Sequence, residues 1–296
     1  MSPNQPINLS AVISLAPVKV SMTWLMVIIE NIMLMLLPLF LGYAIDDVLN
    51  QSTERVVSFA ALLLGLVVVG VLRRFYDTRA YGDIRVRLAH KVEQNLRSAP
   101  ISTKNARLTM SRELVDFLEE DLPTLMTALV QLVATVLILA TFHLYFALSV
   151  LSAGILMLLL YSLFHQTFTT LNGELNDQLE QQVSILGSLS LSAIRNHFVQ
   201  LKRCEIKLSD TEALVYGLIF TLLFAALLGN LMMISLLNSP TTGQVFSIFS
   251  YSLEFVESAV MLPVALQTLS RLEEISSRLN QTSSISTLKE ELNEAQ

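Results

Sequence analysis

Charge is scarce in this chain. Asp, Glu, Lys and Arg make up 15% of its 296 residues, against roughly a quarter in a soluble domain. Hydrophobic residues reach 53% and mean hydropathy is +0.58, more apolar surface than a water-soluble fold of this size can hide. Cysteine is limited to Cys204, so no disulfide framework exists. The four histidines, His90, His143, His165 and His197, are scattered, which leaves no catalytic dyad or zinc spacing. No lysine follows a glycine anywhere, so the Gly-Lys-Ser/Thr step of a phosphate-cradling loop is missing. Basic runs are also lacking, and the net charge is −6, which argues against nucleic acid as a partner. No basic residue precedes Lys19, and the first apolar run is too long for a signal h-region. Alternating ten-residue segments, the mark of an outer-membrane barrel, are absent too.

What is there is six apolar stretches: Val20–Ile45, Val56–Leu72, Leu122–Thr141, Leu144–Phe164, Ala213–Leu237 and Val245–Leu269. Each is near the ~20 residues that a helix needs to cross ~30 Å of hydrocarbon. The expected fold class is an all-α membrane protein of six transmembrane helices. It divides into an N-terminal segment 1–19, a six-helix domain 20–269 with loops 73–121 and 165–212, and a tail 270–296. Of nineteen basic residues, only Arg55 falls on the face that carries the short connections 46–55, 142–143 and 238–244. The positive-inside rule then places both termini and both long loops in the cytoplasm, and a prokaryotic inner membrane is the expected location.

The long loops are periodic. Tyr81, Ile84, Leu88, Val92 and Leu96 recur at three- and four-residue spacing, as do Leu171, Leu175, Leu179, Val183 and Leu186. Each stripe predicts a span that continues as an amphipathic helix and packs in a bundle outside the membrane. From Arg73 to Ser98 there is no proline and Gly82 is the one glycine, so the helix can run unbroken from Val56 to Ser98, about 64 Å. The loops return through Ser98–Ser111 and Ser188–Gln200. Leu272, Ile275 and Leu279 predict a further short apolar face in the tail, and Thr287 with Glu290 a cap.

Ionisable groups within the spans are the site candidates, since a charge at mid-membrane costs about 2.5–3.5 kcal/mol and should face protein or water. These are Glu30 in the first span and Glu254 with Glu257 on one face of the sixth. Asn31 and Tyr251 are candidate partners or pathway residues, and Gln131 and Asn230 are candidate helix–helix contacts. Met33, Met35, Met232 and Met233 read as packing, and Arg73 with Arg74 as snorkelling side chains at the headgroups. The stretch "LLPLFLGYAIDDVL" places Asp46 and Asp47 where the first helix meets water. A metal site there would need further ligands that its neighbourhood does not supply.

Six spans, two long helical hairpins and very short connections resemble the transmembrane domain of ABC exporters. The pattern of Pro38, Gly42, Ile45 and Asp46 is similar to the outer end of that family's first helix. Ile84–Pro100 resembles the approach to its first coupling helix, Asp121 the acid before its third span, and Thr241–Leu279 its sixth helix, with Gly243, Tyr251, Phe255, Pro263 and Arg271. The family's Glu–Gly–Ile signature is poorly matched near Ile185–Ile194. The resemblance implies a permease that dimerises to twelve helices, with a second copy or a paralogue. The sixth helix would line its cavity, with Glu30, Glu254, Glu257, Asn31 and Tyr251 along the substrate path. It also implies coupling segments around Pro100, Lys104, Arg107, Arg195, His197 and Lys202. ATP with Mg²⁺ would be bound by a separate ATPase subunit and not by this chain, which is not expected to be an enzyme. Two other readings compete: an ATP-independent carrier or channel that uses the intramembrane carboxylates, and a non-transporting scaffold or regulator.

Overall fold

The computed structural model describes residues 9–95, 101–187 and 190–262, all in helices and short connections with no strand among them. The elements are α1 (Leu9–Ile13), α2 (Pro17–Leu49), α3 (Glu54–Asn95), α4 (Ile101–Asp116), α5 (Leu122–Phe142), α6 (Leu144–Gly187), α7 (Leu191–Met233) and α8 (Thr242–Leu262). Six helices are long and apolar enough to cross a membrane. The expected spans are all present, and the protein is an integral membrane protein.

Three helices run far past their apolar cores. The 42 residues of α3, 44 of α6 and 43 of α7 correspond to about 63–66 Å at the helical rise. None of α3's most apolar window is buried, as lipid-facing surface requires. Below that window the expected stripe turns inward: Tyr81, Ile84, Leu88 and Val92 are all buried. Tyr81, Ile84 and Leu88 join Val12, Ala16 and Val20 from the N-terminal end and Leu114, Val115, Phe117 and Leu118 from the return helix in one apolar core. The second stripe behaves differently. Leu171 and Leu175 are half-buried, Leu179 and Leu186 are exposed, and the Val183 side chain lies outside the described ones, so among the described residues this stripe packs less completely than the first. Leu96, Pro100 and everything from Pro263 on lie outside the described residues, including the predicted tail helices and the sixth span's last turns.

Both return segments are largely helical. α4 continues through a π-helical turn, Phe117–Asp121, into α5. Arg85 on α3 straddles that junction, at 2.6 Å from both the Asp116 and Glu119 carboxylates. At the other return α7 starts at Leu191, with Ser190 as its N-cap accepting from the Ala193 N–H. The described residues divide into two compact units. One comprises residues up to Thr135 and from Pro240 on, and the other Val136–Ser239. In the second unit α6 and α7 pack as a hairpin, with Val215, Ile219, Leu223 and Leu227 buried at four-residue spacing. Asn230 donates from Nδ2 to the Phe146 carbonyl at 3.5 Å.

Candidate functional site

The polar groups of α2 sort into two clusters, one towards each end. At the C-terminal end the face is built from Pro38, Gly42 and Asp46, four residues apart, and meets Gly243, Ser247 and Tyr251 of α8, also four apart. Spacing of four keeps each set on one side of its helix. Tyr251 donates from its hydroxyl to the Met35 carbonyl at 2.7 Å, and Ser247 to the Pro38 carbonyl at 2.9 Å. Between them the backbones touch: a Cβ on Gly243 would lie 1.9 Å from the Gly42 carbonyl oxygen. Only glycine fits at either position.

Asp46 completes this face. Its carboxylate accepts from the Gly243 N–H at 2.7 Å and from the Thr241 hydroxyl at 2.6 Å. The first N–H groups of a helix have no partner within it, and negative charge there is favoured. Thr241 and Gln244 add a reciprocal capping box: Gln244 N–H donates to Thr241 Oγ1, and Thr241 N–H to the Gln244 side chain, both at 3.2 Å. Asp47 does the same service for α3. It accepts from the Arg55 N–H at 2.8 Å and from the Ser52 hydroxyl at 3.3 Å, with the Arg55 guanidinium 3.7 Å away. The two adjacent carboxylates therefore cap two different helices, a role beyond marking the exit to water.

Towards the N-terminal end, α2 and α3 run antiparallel in an even register. Glu30 lies opposite Arg73, Lys19 is ion-paired with Asp83, and the Leu15 carbonyl accepts from Arg87 at 3.0 Å. The Glu30–Arg73 pair is 2.9 Å apart, and Arg73 also stands 3.8 Å from Asp77. Arg73 is thus not a free snorkelling side chain; it neutralises a carboxylate of the neighbouring helix. This register places Glu30 level with the residue that ends α3's apolar run, near the edge of the apolar zone rather than its middle. Gly70 faces Glu30, and a Cβ there would make an ordinary contact, 3.5 Å from Glu30 Oε1. Met33 packs over Gly65, in keeping with a packing role.

The other site candidates are dispersed. Tyr251 is buried in the α2–α8 face, Glu254 is half-buried and Glu257 is exposed. Ser258 donates to Gln131 at 3.2 Å, so Gln131 bridges helices as expected. Asn31 is buried, and its Oδ1 has no hydrogen-bond partner among the described residues. Lys104 and Arg107 lie on α4, while Pro100 falls outside the described residues. Arg195 and Lys202 are exposed on α7, but His197 is buried with no hydrogen bond to either ring nitrogen among the described residues. The capping box and the glycine pair were missed at the sequence level. Thr-x-x-Gln at Thr241–Gln244 and the two four-residue ladders were the signals available.

These features define a six-helix membrane domain with long helical extensions. The family described as the ABC transporter transmembrane region matches residues 10–243, and the chain belongs to it. No curated protein matches the chain. It is a membrane component of an ABC-type transporter.

Proposed function

We propose that the chain is the permease subunit of an exporter-like ABC transporter. It pairs with a second copy or a paralogue to make twelve helices, and is driven by ATP–Mg²⁺ hydrolysis in a separate nucleotide-binding subunit. The observation that carries this reading is the family match over residues 10–243 on helices that extend well past their apolar runs. Such extensions give a soluble engine something to grip outside the membrane. The segments 98–111 and 188–200, with Lys104, Arg107, Arg195 and Lys202, are the assigned docking points. The asymmetry of Lys and Arg supports a cytoplasmic position for them, in a prokaryotic inner membrane. Along α8, Glu254 and Glu257 are the carboxylates assigned to a cationic or amphipathic substrate. Glu30 is engaged with Arg73 and ranks behind them.

Gentle purification from native membranes, with mass spectrometry of the co-purifying proteins, tests the reading. An ATPase subunit that is lost when segments 98–111 and 188–200 are altered is the expected result. A dimer without a nucleotide-binding companion, whose nucleotide-free transport collapses on Glu254→Gln, would replace it with the ATP-independent carrier.

A further inference from the structure

The α2–α3 seam holds more buried polar chemistry than its hydrogen bonds satisfy. Thr23 and Tyr81 are fully buried and Asp77 nearly so, at 5% exposure. The Thr23 hydroxyl lies beside both the Asp77 carboxylate and the Tyr81 hydroxyl, and Trp24 beside Tyr81. None of Thr23 Oγ1, Trp24 Nε1, Asp77 Oδ1 or Tyr81 Oη closes an aligned hydrogen bond among the described residues. Native interiors rarely tolerate such groups in one place unless something else serves them.

Charge counting gives the second observation. The seam contains two carboxylates, Glu30 and Asp77, and one guanidinium, Arg73, between them. The nearby cations are committed elsewhere: Lys19 to Asp83, and Arg85 to Asp116 and Glu119. Arg74 is exposed, so solvent screens it. From the π-helical turn the charge that acts on Tyr81, Glu119, is itself an acid. With both seam carboxylates ionised, the buried cluster would carry one uncompensated negative charge, which is costly in a dry interior. The smallest neutralising ligand is a proton. Glu30 has the shorter contact to Arg73, 2.9 Å against 3.8 Å, and a side-chain exposure of 20% against 7%. Glu30 therefore keeps the ion pair and Asp77 takes the proton.

We propose that the α2–α3 seam is a proton-binding site, in which Asp77 is a neutral carboxylic acid while the two helices are packed and becomes a carboxylate when the seam opens to water. The protonated carboxyl brings one O–H donor, which the hydroxyl oxygen of Thr23 or of Tyr81 can accept, while its carbonyl oxygen can still accept from the other. Proton binding then favours the packed arrangement by linkage.

Infrared difference spectroscopy of the full chain in lipid nanodiscs, titrated from acid to alkaline pH, tests this. The expected result is a carboxylic-acid C=O band that persists at neutral pH and is removed by Asp77→Asn. Glu30→Gln leaves Asp77 alone with Arg73, so the band should titrate at least about tenfold higher in proton concentration, the scale of an opposite-charge effect. Asp77→Asn should also keep the wild-type thermal midpoint, because the amide mimics the neutral acid. No band at neutral pH, a band indifferent to Asp77→Asn, or one unmoved by Glu30→Gln would each overturn the proposal. So would a marked loss of thermal stability in Asp77→Asn, which would instead identify Asp77 as the ionised partner of Arg73.

Discussion

The two ends of α2 solve the same problem in opposite ways. Towards Asp46, every polar group named on its α8-facing side is hydrogen-bonded, and the backbones approach until only glycine fits. Towards Thr23, polar groups are buried in numbers but hydrogen bonds are few. The lesson is that tight packing between helices here comes from removing side chains and pairing carbonyls. Charged side chains held between helices leave an interface that depends on protonation.

The largest expected break in that contrast is Gly243→Val. Its Cβ would meet the Gly42 backbone, which cannot swing aside, so a loss of about 3 kcal/mol or more is expected. Reduced monodispersity and a lower thermal midpoint in detergent would show it, while Gly82→Ala, where a Cβ meets nothing within 4 Å, should be tolerated. Asp46→Ala removes the cap from α8 and should cost about 0.5–2 kcal/mol, with Asp46→Asn recovering much of it. The equivalent Asp47→Ala change acts on α3 and should be no larger. Tyr251→Phe loses one hydrogen bond to the Met35 carbonyl and should cost about 0.5–1.5 kcal/mol. Smallest of all is Gln51→Gly in the connection between α2 and α3. Gln51 sits at φ 59°, a left-handed conformation that glycine adopts freely, so a gain below about 1 kcal/mol is expected. Thermal unfolding of these variants, ranked together, would overturn the comparison if Tyr251→Phe exceeded Gly243→Val.

Much of the fold was legible because lipid imposes length and apolarity on each span separately, a local signal. The stripe Tyr81–Val92 was legible for the same reason: its period lies within one helix. The second stripe had the same period, yet Leu179 and Leu186 stay exposed, because period shows which face is apolar but not what covers it. The α2–α8 face was not legible as a contact, since Asp46 and Gly243 are 197 positions apart. Arg73 was misread as a lone snorkelling side chain because helix register, which brings Glu30 opposite it, is not written in either segment alone. That His197 would be buried was not legible either, since burial depends on what packs over the helix.

Asp46 and Asp47 are consecutive residues, and each holds the first turn of a different helix. One peptide unit therefore spaces the starts of α3 and α8, and three helices share a single fixed pivot. Rotation among them must pass through that point and grows with distance from it. The far end of α2, at Pro17, about 29 residues and about 44 Å away, has the longest lever arm, and towards it the contacts are ion pairs that can be exchanged without unfolding a helix.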